Sequence, residues 1–178
     1  MPRYDELKAV RILSERGDTN SLVQLVREEK TDTLYVRKII FGIDQPLYQG
    51  IFLREVQALY KLNNCENIVR FLGHRNMVAT DVATKAKEKV GCIFMEYISG
   101  TTLANTNISK LSSKERFKII KGVLNAIETA HYNGIIHRDI NPNNIMLDDN
   151  GNVKVRHSYI TNIFKCGKRA TPRPTPKP

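Results

Sequence analysis

His137-Arg138-Asp139-Ile140-Asn141-Pro142-Asn143-Asn144 is followed by the strand-like Ile145-Met146-Leu147 and by the turn Asp148-Asp149-Asn150-Gly151. The run has the form His-Arg-Asp-x-x-x-x-Asn, entered from a helix that Gly134 ends and left through a short strand. Taken alone it is a polar loop between two elements, rich in groups able to hold charge. Just upstream, Ser113 to about Asn133 carries the strongest helical pattern in the chain, with Phe117, Ile120, Leu124 and Ile127 on one face and Ile119, Val123 and Ala130 beside them. A stripe this wide needs cover on two sides, which is more helical partnership than the residues after it supply.

Working back to the N-terminus, residues 8–13, 21–27 and 33–40 are short, β-branched and partly alternating, with a polar turn between the last two. They predict an antiparallel three-strand meander. Asp44 and Pro46 offer a cap and a first turn for a helix reaching about Leu62, with Leu47, Ile51, Val56 and Leu59 among its apolar positions. Residues 68–73 and 91–97 predict two more strands, separated by a polar, lysine-rich insertion.

The chain has 178 residues, 41% hydrophobic and 26% charged, the composition of a globular protein with one sizeable core. No apolar run approaches the roughly 18 to 20 residues of a membrane-spanning helix, and the N-terminus lacks an apolar signal core. A cytoplasmic protein with no membrane span is expected. Cys65, Cys92 and Cys166 are odd in number and far apart, which argues against a disulfide framework or a zinc site. The net charge of +10 sits partly in Lys85–Lys89 and partly in the tail from Lys165 to Lys177. Neither stretch is interleaved with aromatics, so a solvated surface is expected and no specific nucleic-acid partner.

The 137–144 run resembles the catalytic loop of protein kinases, where the aspartate receives or orients the proton of a substrate hydroxyl and the asparagine ligates a metal bridging the phosphates. Other family elements stand upstream in the family's order. Lys38, in Tyr35-Val36-Arg37-Lys38-Ile39, resembles the third-strand lysine that neutralises phosphates, and Glu55, in Phe52-Leu53-Arg54-Glu55-Val56, the helix glutamate that pairs with it. Residues 62–72 resemble the link from helix to fourth strand, and Ile93-Phe94-Met95-Glu96-Tyr97-Ile98-Ser99-Gly100 the gatekeeper and hinge.

The resemblance covers about residues 8–155 and implies an α+β fold. Residues 1–98 would form a lobe with a five-stranded antiparallel sheet, one helix and the hinge. Residues 99–156 would form a partial, mainly helical second lobe with the catalytic loop, and 157–178 a basic, proline-rich disordered tail. It further implies Asp139, Lys38, Glu55 and Asn144 as catalytic residues, with Asn144 also the metal ligand. Met95 would be the gatekeeper, the backbone of Glu96 and Ile98 would bind the adenine edge, and Val23, Val36 and Met146 would sandwich its faces. ATP and Mg²⁺ or Mn²⁺ are the implied cofactors, and a protein substrate or partner kinase the implied partner. Arg138 favours the protein-kinase branch over small-molecule phosphotransferases, and Ile140-Asn141-Pro142 the serine/threonine type.

The sequence departs from the pattern at named positions. Arg16, Asp18 and Ser21 fall on the three glycines of the phosphate loop, leaving only Gly17 there. Val36 replaces an alanine beside adenine, and Asn141 a lysine that reaches the transferred phosphate. Thirteen residues after Asn144, His157-Ser158-Tyr159 stands where an aspartate-phenylalanine-glycine would bind magnesium, and a neutral imidazole is a poor substitute for a hard anionic oxygen. The change of text after Val155 leads to the expectation of a truncated kinase-like domain with impaired transfer. The alternatives are a non-catalytic pseudokinase that binds a kinase or regulator, and a fragment without function.

Overall fold

The computed structural model describes residues 4–16, 20–80 and 85–156. Gly17 and Asp18, His157-Ser158-Tyr159, Cys166 and the rest of the 157–178 tail lie outside the described residues.

The predicted meander forms as β1 (Leu7–Ser14), β2 (Ser21–Glu28) and β3 (Thr33–Phe41). With β4 (Phe71–Thr80) and β5 (Lys87–Glu96) it makes one antiparallel sheet in the order β1-β2-β3-β5-β4. The last two strands are longer than their sequence suggests. The stretch taken as a lysine-rich insertion continues the ladder from Arg75↔Cys92 to Thr80↔Lys87. Alternation explains it: Met77 and Ala79 pack on a buried cluster with Val90, Cys92 and Phe94, while Val78 between them is exposed. The lysines thus stand on the outer positions of a strand.

Helix α1 (Pro46–Leu62) begins with Pro46 in its first turn, but Gln45 and not Asp44 occupies the cap position, without a side-chain capping bond. Its buried positions are Phe52, Glu55, Val56, Ala58, Leu59 and Leu62, whereas Leu47 points to solvent at 64% exposure. Leu47 lies on the first turn, ahead of where the helix meets the sheet. The helix rests on the face that carries Ile40, Ile93 and Met95. Gly91 permits this approach, since a Cβ there would lie 2.5 Å from the Phe52 ring.

After the hinge, β6 (Gly100–Thr102) pairs with β7 (Ile145–Asp148), and β7 with β8 (Val153–Val155), a small sheet that the sequence reading did not distinguish. Helix α2 (Ser113–Tyr132) starts in a capping box in which Ser112 and Glu115 satisfy each other's backbone N–H. It ends where Gly134, at φ +70°, donates to His131 O. Ile119, Ala126 and Ala130 are buried with Leu62, Ile68, Ile135, Leu147 and Val155. Phe117, Ile120 and Leu124 are instead 68%, 57% and 60% exposed, so that part of the predicted stripe is uncovered. Among the described residues no helix is long and apolar enough to cross a membrane.

The two parts are stitched through the segment after α1. Val69 donates to Val155 O and Val155 to Asn67 O, while the Asn67 amide reaches Val153 O and receives Asn125 Nδ2. Replacing Gly91 by alanine should drive a methyl into the Phe52 ring and lower stability by about 1–3 kcal/mol. Urea unfolding of the two proteins measures this; an unchanged midpoint would show that α1 does not seat on β5 as described.

Candidate active site

Antiparallel register puts side chains of facing residues on the same side of a sheet. Val23 faces Lys38 and Lys38 faces Ile93, while Val36 faces Met95. Val23, Val36, Lys38, Ile93 and Met95 therefore share the face that α1 covers at one end. Across from it Lys38 Nζ lies 2.7 and 2.8 Å from the two oxygens of Glu55. Both side chains are buried, at 7% and 3% exposure. Burial of either charge alone is expensive, and the bidentate geometry offsets it.

Val36 and Met146 both pack against one cluster that contains Met95 and Ile98, so the upper sheet, the hinge and β7 meet in a single apolar group. Val23 joins it only by register, as the strand neighbour of Lys38. The Glu96 N–H donates to Arg70 O, and the Glu96 carboxylate accepts from Arg70 N–H and Lys154 Nζ, each at 2.8 Å. This ties the end of β5 to β8. Gly17 and Asp18 lie outside the described residues, but the entry to β2 is fixed at Arg16, which binds Asn20 Oδ1 and Glu88 and lies 4.0 Å over the Phe41 ring. Ser21 is buried.

The catalytic-loop sequence folds around Asp139. Arg138 takes a left-handed backbone at φ +63°. The Asp139 N–H donates to His137 Nδ1, which leaves the ring proton on Nε2, 2.8 Å from Arg156 O. Burial lowers the His137 pKa below the ordinary histidine value, against the opposing pull of the Arg156 carbonyl and the Asp139 charge. The neutral ring thus joins the loop to the end of β8.

Both carboxylate oxygens of Asp139 receive side-chain amides. Asn141 Nδ2 donates to Oδ1 at 2.6 Å and Asn144 Nδ2 to Oδ2 at 2.7 Å. Asn141 serves twice, because its Oδ1 also accepts the backbone N–H groups of Asn143 and Asn144 and so caps the 3-10 turn Pro142–Asn144. Sequence reading had Asn141 as a replaced lysine and as part of the serine/threonine-type loop, and not as a cap. An asparagine before Pro142, at the mouth of a polar turn, was a legible capping signal.

Any metal role of Asn144 falls to its side-chain oxygen, because its amide nitrogen donates to Asp139; no group of three histidine, cysteine or acidic side chains able to hold a metal occurs among the described residues. The side chain next to Asn144 is a cation: Arg156 donates its N–H to Asn144 O and a guanidinium N–H to Asn143 O. No sequence signal pointed to Arg156.

The family model for the protein kinase domain matches residues 16–157 of the chain. The chain belongs to the protein kinase domain family. This kinase domain is similar to a probable serine/threonine-protein kinase MARK-C of Dictyostelium discoideum, 34% identical over 57% of the chain and 14% of the relative. It is also similar to a probable serine/threonine-protein kinase PknB of Bifidobacterium longum, 40% identical over 61% of the chain and 16% of the relative. With serine/threonine-protein kinase PrkC of Bacillus subtilis it shares 40% identity over 47% of the chain and 13% of the relative. The chain thus spans less than a quarter of the length of these relatives.

The buried Lys38–Glu55 pair gives the site its first test. Lys38→Met should strand the Glu55 carboxylate and cost about 3–5 kcal/mol, whereas Lys38→Met with Glu55→Leu should recover most of that loss. Urea unfolding of the four proteins of the cycle decides it. A single-mutant cost under about 1 kcal/mol would mean a solvated pair.

Proposed function

We propose that this kinase domain binds ATP in the cleft between β3, the hinge and β7, and that by lineage it transfers phosphate to serine or threonine hydroxyls of a protein. The observation that carries this reading is the apolar group in which Val36, Met95, Ile98 and Met146 converge beside the Lys38–Glu55 pair. Adenine needs two apolar faces and a backbone edge. Val23, Val36 and Met146 supply the faces, and Met95 closes the back. The edge is the Glu96 carbonyl and the Ile98 backbone, because the Glu96 N–H is already engaged. Lys38 neutralises phosphate, held in place by Glu55.

Asp139 acts on the substrate proton. Two amide donors hold its carboxylate in place to orient a substrate hydroxyl. The family uses ATP with a divalent metal, whose chemistry is to neutralise charge on the phosphates. In this chain metal binding through Asn144 is weakened, since His157 stands in the sequence where the family has its acidic ligand and Arg156 adds a positive charge beside Asn144. Transfer is accordingly slow. Residues 1–98 act as the nucleotide lobe and 99–156 as the lobe of the catalytic loop, in a protein of the cytoplasm.

The exposed stripe Phe117, Ile120 and Leu124 favours a second reading, in which the domain binds a kinase or regulator without catalysing transfer. Two measurements separate the readings. ATP at about 100 times its dissociation constant should stabilise the chain by roughly 2.7 kcal/mol in thermal unfolding, an effect lost in Lys38→Met. Asp139→Asn should keep that stabilisation yet lower transfer from radiolabelled ATP to casein by about a hundredfold or more. ATP without effect on unfolding would sink the nucleotide-site reading; ATP binding with no transfer at all would leave the binding-module reading standing.

A further inference from the structure

Arg156 is a partly buried charged side chain of the second lobe. It ends β8, whose Val155 pairs with Ile145 of β7, and its own N–H bonds Asn144 O at 2.8 Å. Its guanidinium folds back along the same turn to reach Asn143 O. The cation therefore lies against the peptide that joins Asn143 to Asn144, on the residue whose amide holds Asp139.

Its hydrogen bonding is incomplete. Nε is buried and has no partner among the described residues, and no carboxylate there pairs with the guanidinium. Burial lowers its pKa from the ordinary arginine value. A guanidinium offers five donors in a planar fork, and one whose Nε is buried without a partner while its Nη2 reaches only a carbonyl has donors left for an anion.

A second positive charge has no comfortable place beside this one. A divalent ion on Asn144 would stand next to the guanidinium with a neutral amide as ligand, and like charges at such range repel. The phosphate oxygens of a nucleotide, by contrast, suit a planar fork of N–H donors.

We propose that Arg156 binds the phosphates of the nucleotide in the place of a divalent metal, so that this domain takes up a nucleoside triphosphate without Mg²⁺ or Mn²⁺. Lys38 and Arg156 then grip the phosphate chain from the two lobes, one from β3 and one from β8. The proposal rests on the nucleotide-site reading above and adds to it which cation answers the phosphates. It concerns binding only and invokes no bond-breaking step.

The test is equilibrium binding of ATP to the full chain by calorimetry, in EDTA and in excess Mg²⁺, with adenosine titrated in parallel. In the unaltered protein the affinity for ATP should differ by less than about threefold between the two conditions, a gap of under about 0.7 kcal/mol. Arg156→Gln should lose about tenfold or more of its ATP affinity in EDTA, in line with a charged hydrogen bond, and keep its affinity for adenosine. Arg156→Lys should retain part of the ATP affinity, which a purely structural role for the side chain would not predict. If ATP binds only with Mg²⁺, or if Arg156→Gln leaves ATP affinity in EDTA unchanged while adenosine still binds, this proposal is overturned and the nucleotide site stands. If neither ATP nor adenosine binds under any condition, the site reading falls and the proposal with it.

Discussion

The ion pair between Lys38 and Glu55 is the constraint on which the rest of the arrangement depends. Lys38 is a strand residue and Glu55 a helix residue, and both are almost fully withdrawn from water. Neither charge is tolerable alone, so β3 and α1 must be brought to one separation and one rotation before either can be buried. Gly91 makes that separation attainable, and Phe52, Val56 and Leu59 hold it with apolar contact. Once α1 is seated, its C-terminal end contributes Ala58 and Leu62 to the cluster that also holds α2, β7 and β8. A single helix thereby fixes the two halves of the cleft relative to each other.

The lower half is organised by amides. Asn141 and Asn144 clamp Asp139, Asn141 caps the turn that carries Asn144, and Asn67 with Asn125 joins the inter-lobe segment to α2 and β8. Neutral amides satisfy buried carbonyls and carboxylates without adding charge to a partly desolvated site. The consequence is an Asp139 carboxylate held at both oxygens beside a turn that Asn141 caps.

Much of this was legible in the chain itself. The 137–144 run, Lys38 and Glu55 fixed the fold because each answers a separate need of phosphate chemistry, and their order along the chain is hard to meet by chance. Helix α2 announced itself through its apolar stripe and the Gly134 that ends it. The long β4–β5 hairpin was missed because the alternate lysines at 85, 87 and 89 read as a loop, although Met77 and Ala79 on the facing strand kept the strand period. Leu47 falls in the helix as read but outside its buried positions, because helical periodicity cannot say where along a helix the core begins. Arg156 was invisible, since its meaning comes from a β7–β8 pairing that folds it back on Asn143 across thirteen residues.

The central claim is that Lys38 lies at the phosphates of a nucleotide bound in this cleft. It is tested most directly with an ATP analogue bearing an acyl group on its terminal phosphate, which acylates lysine amines held beside it, followed by mass-spectrometric mapping of the modified lysines. The account predicts that Lys38 is the principal site and that excess ATP protects it. Acylation spread over surface lysines such as Lys110, Lys114 and Lys121, with Lys38 unmodified and no protection by ATP, would contradict it.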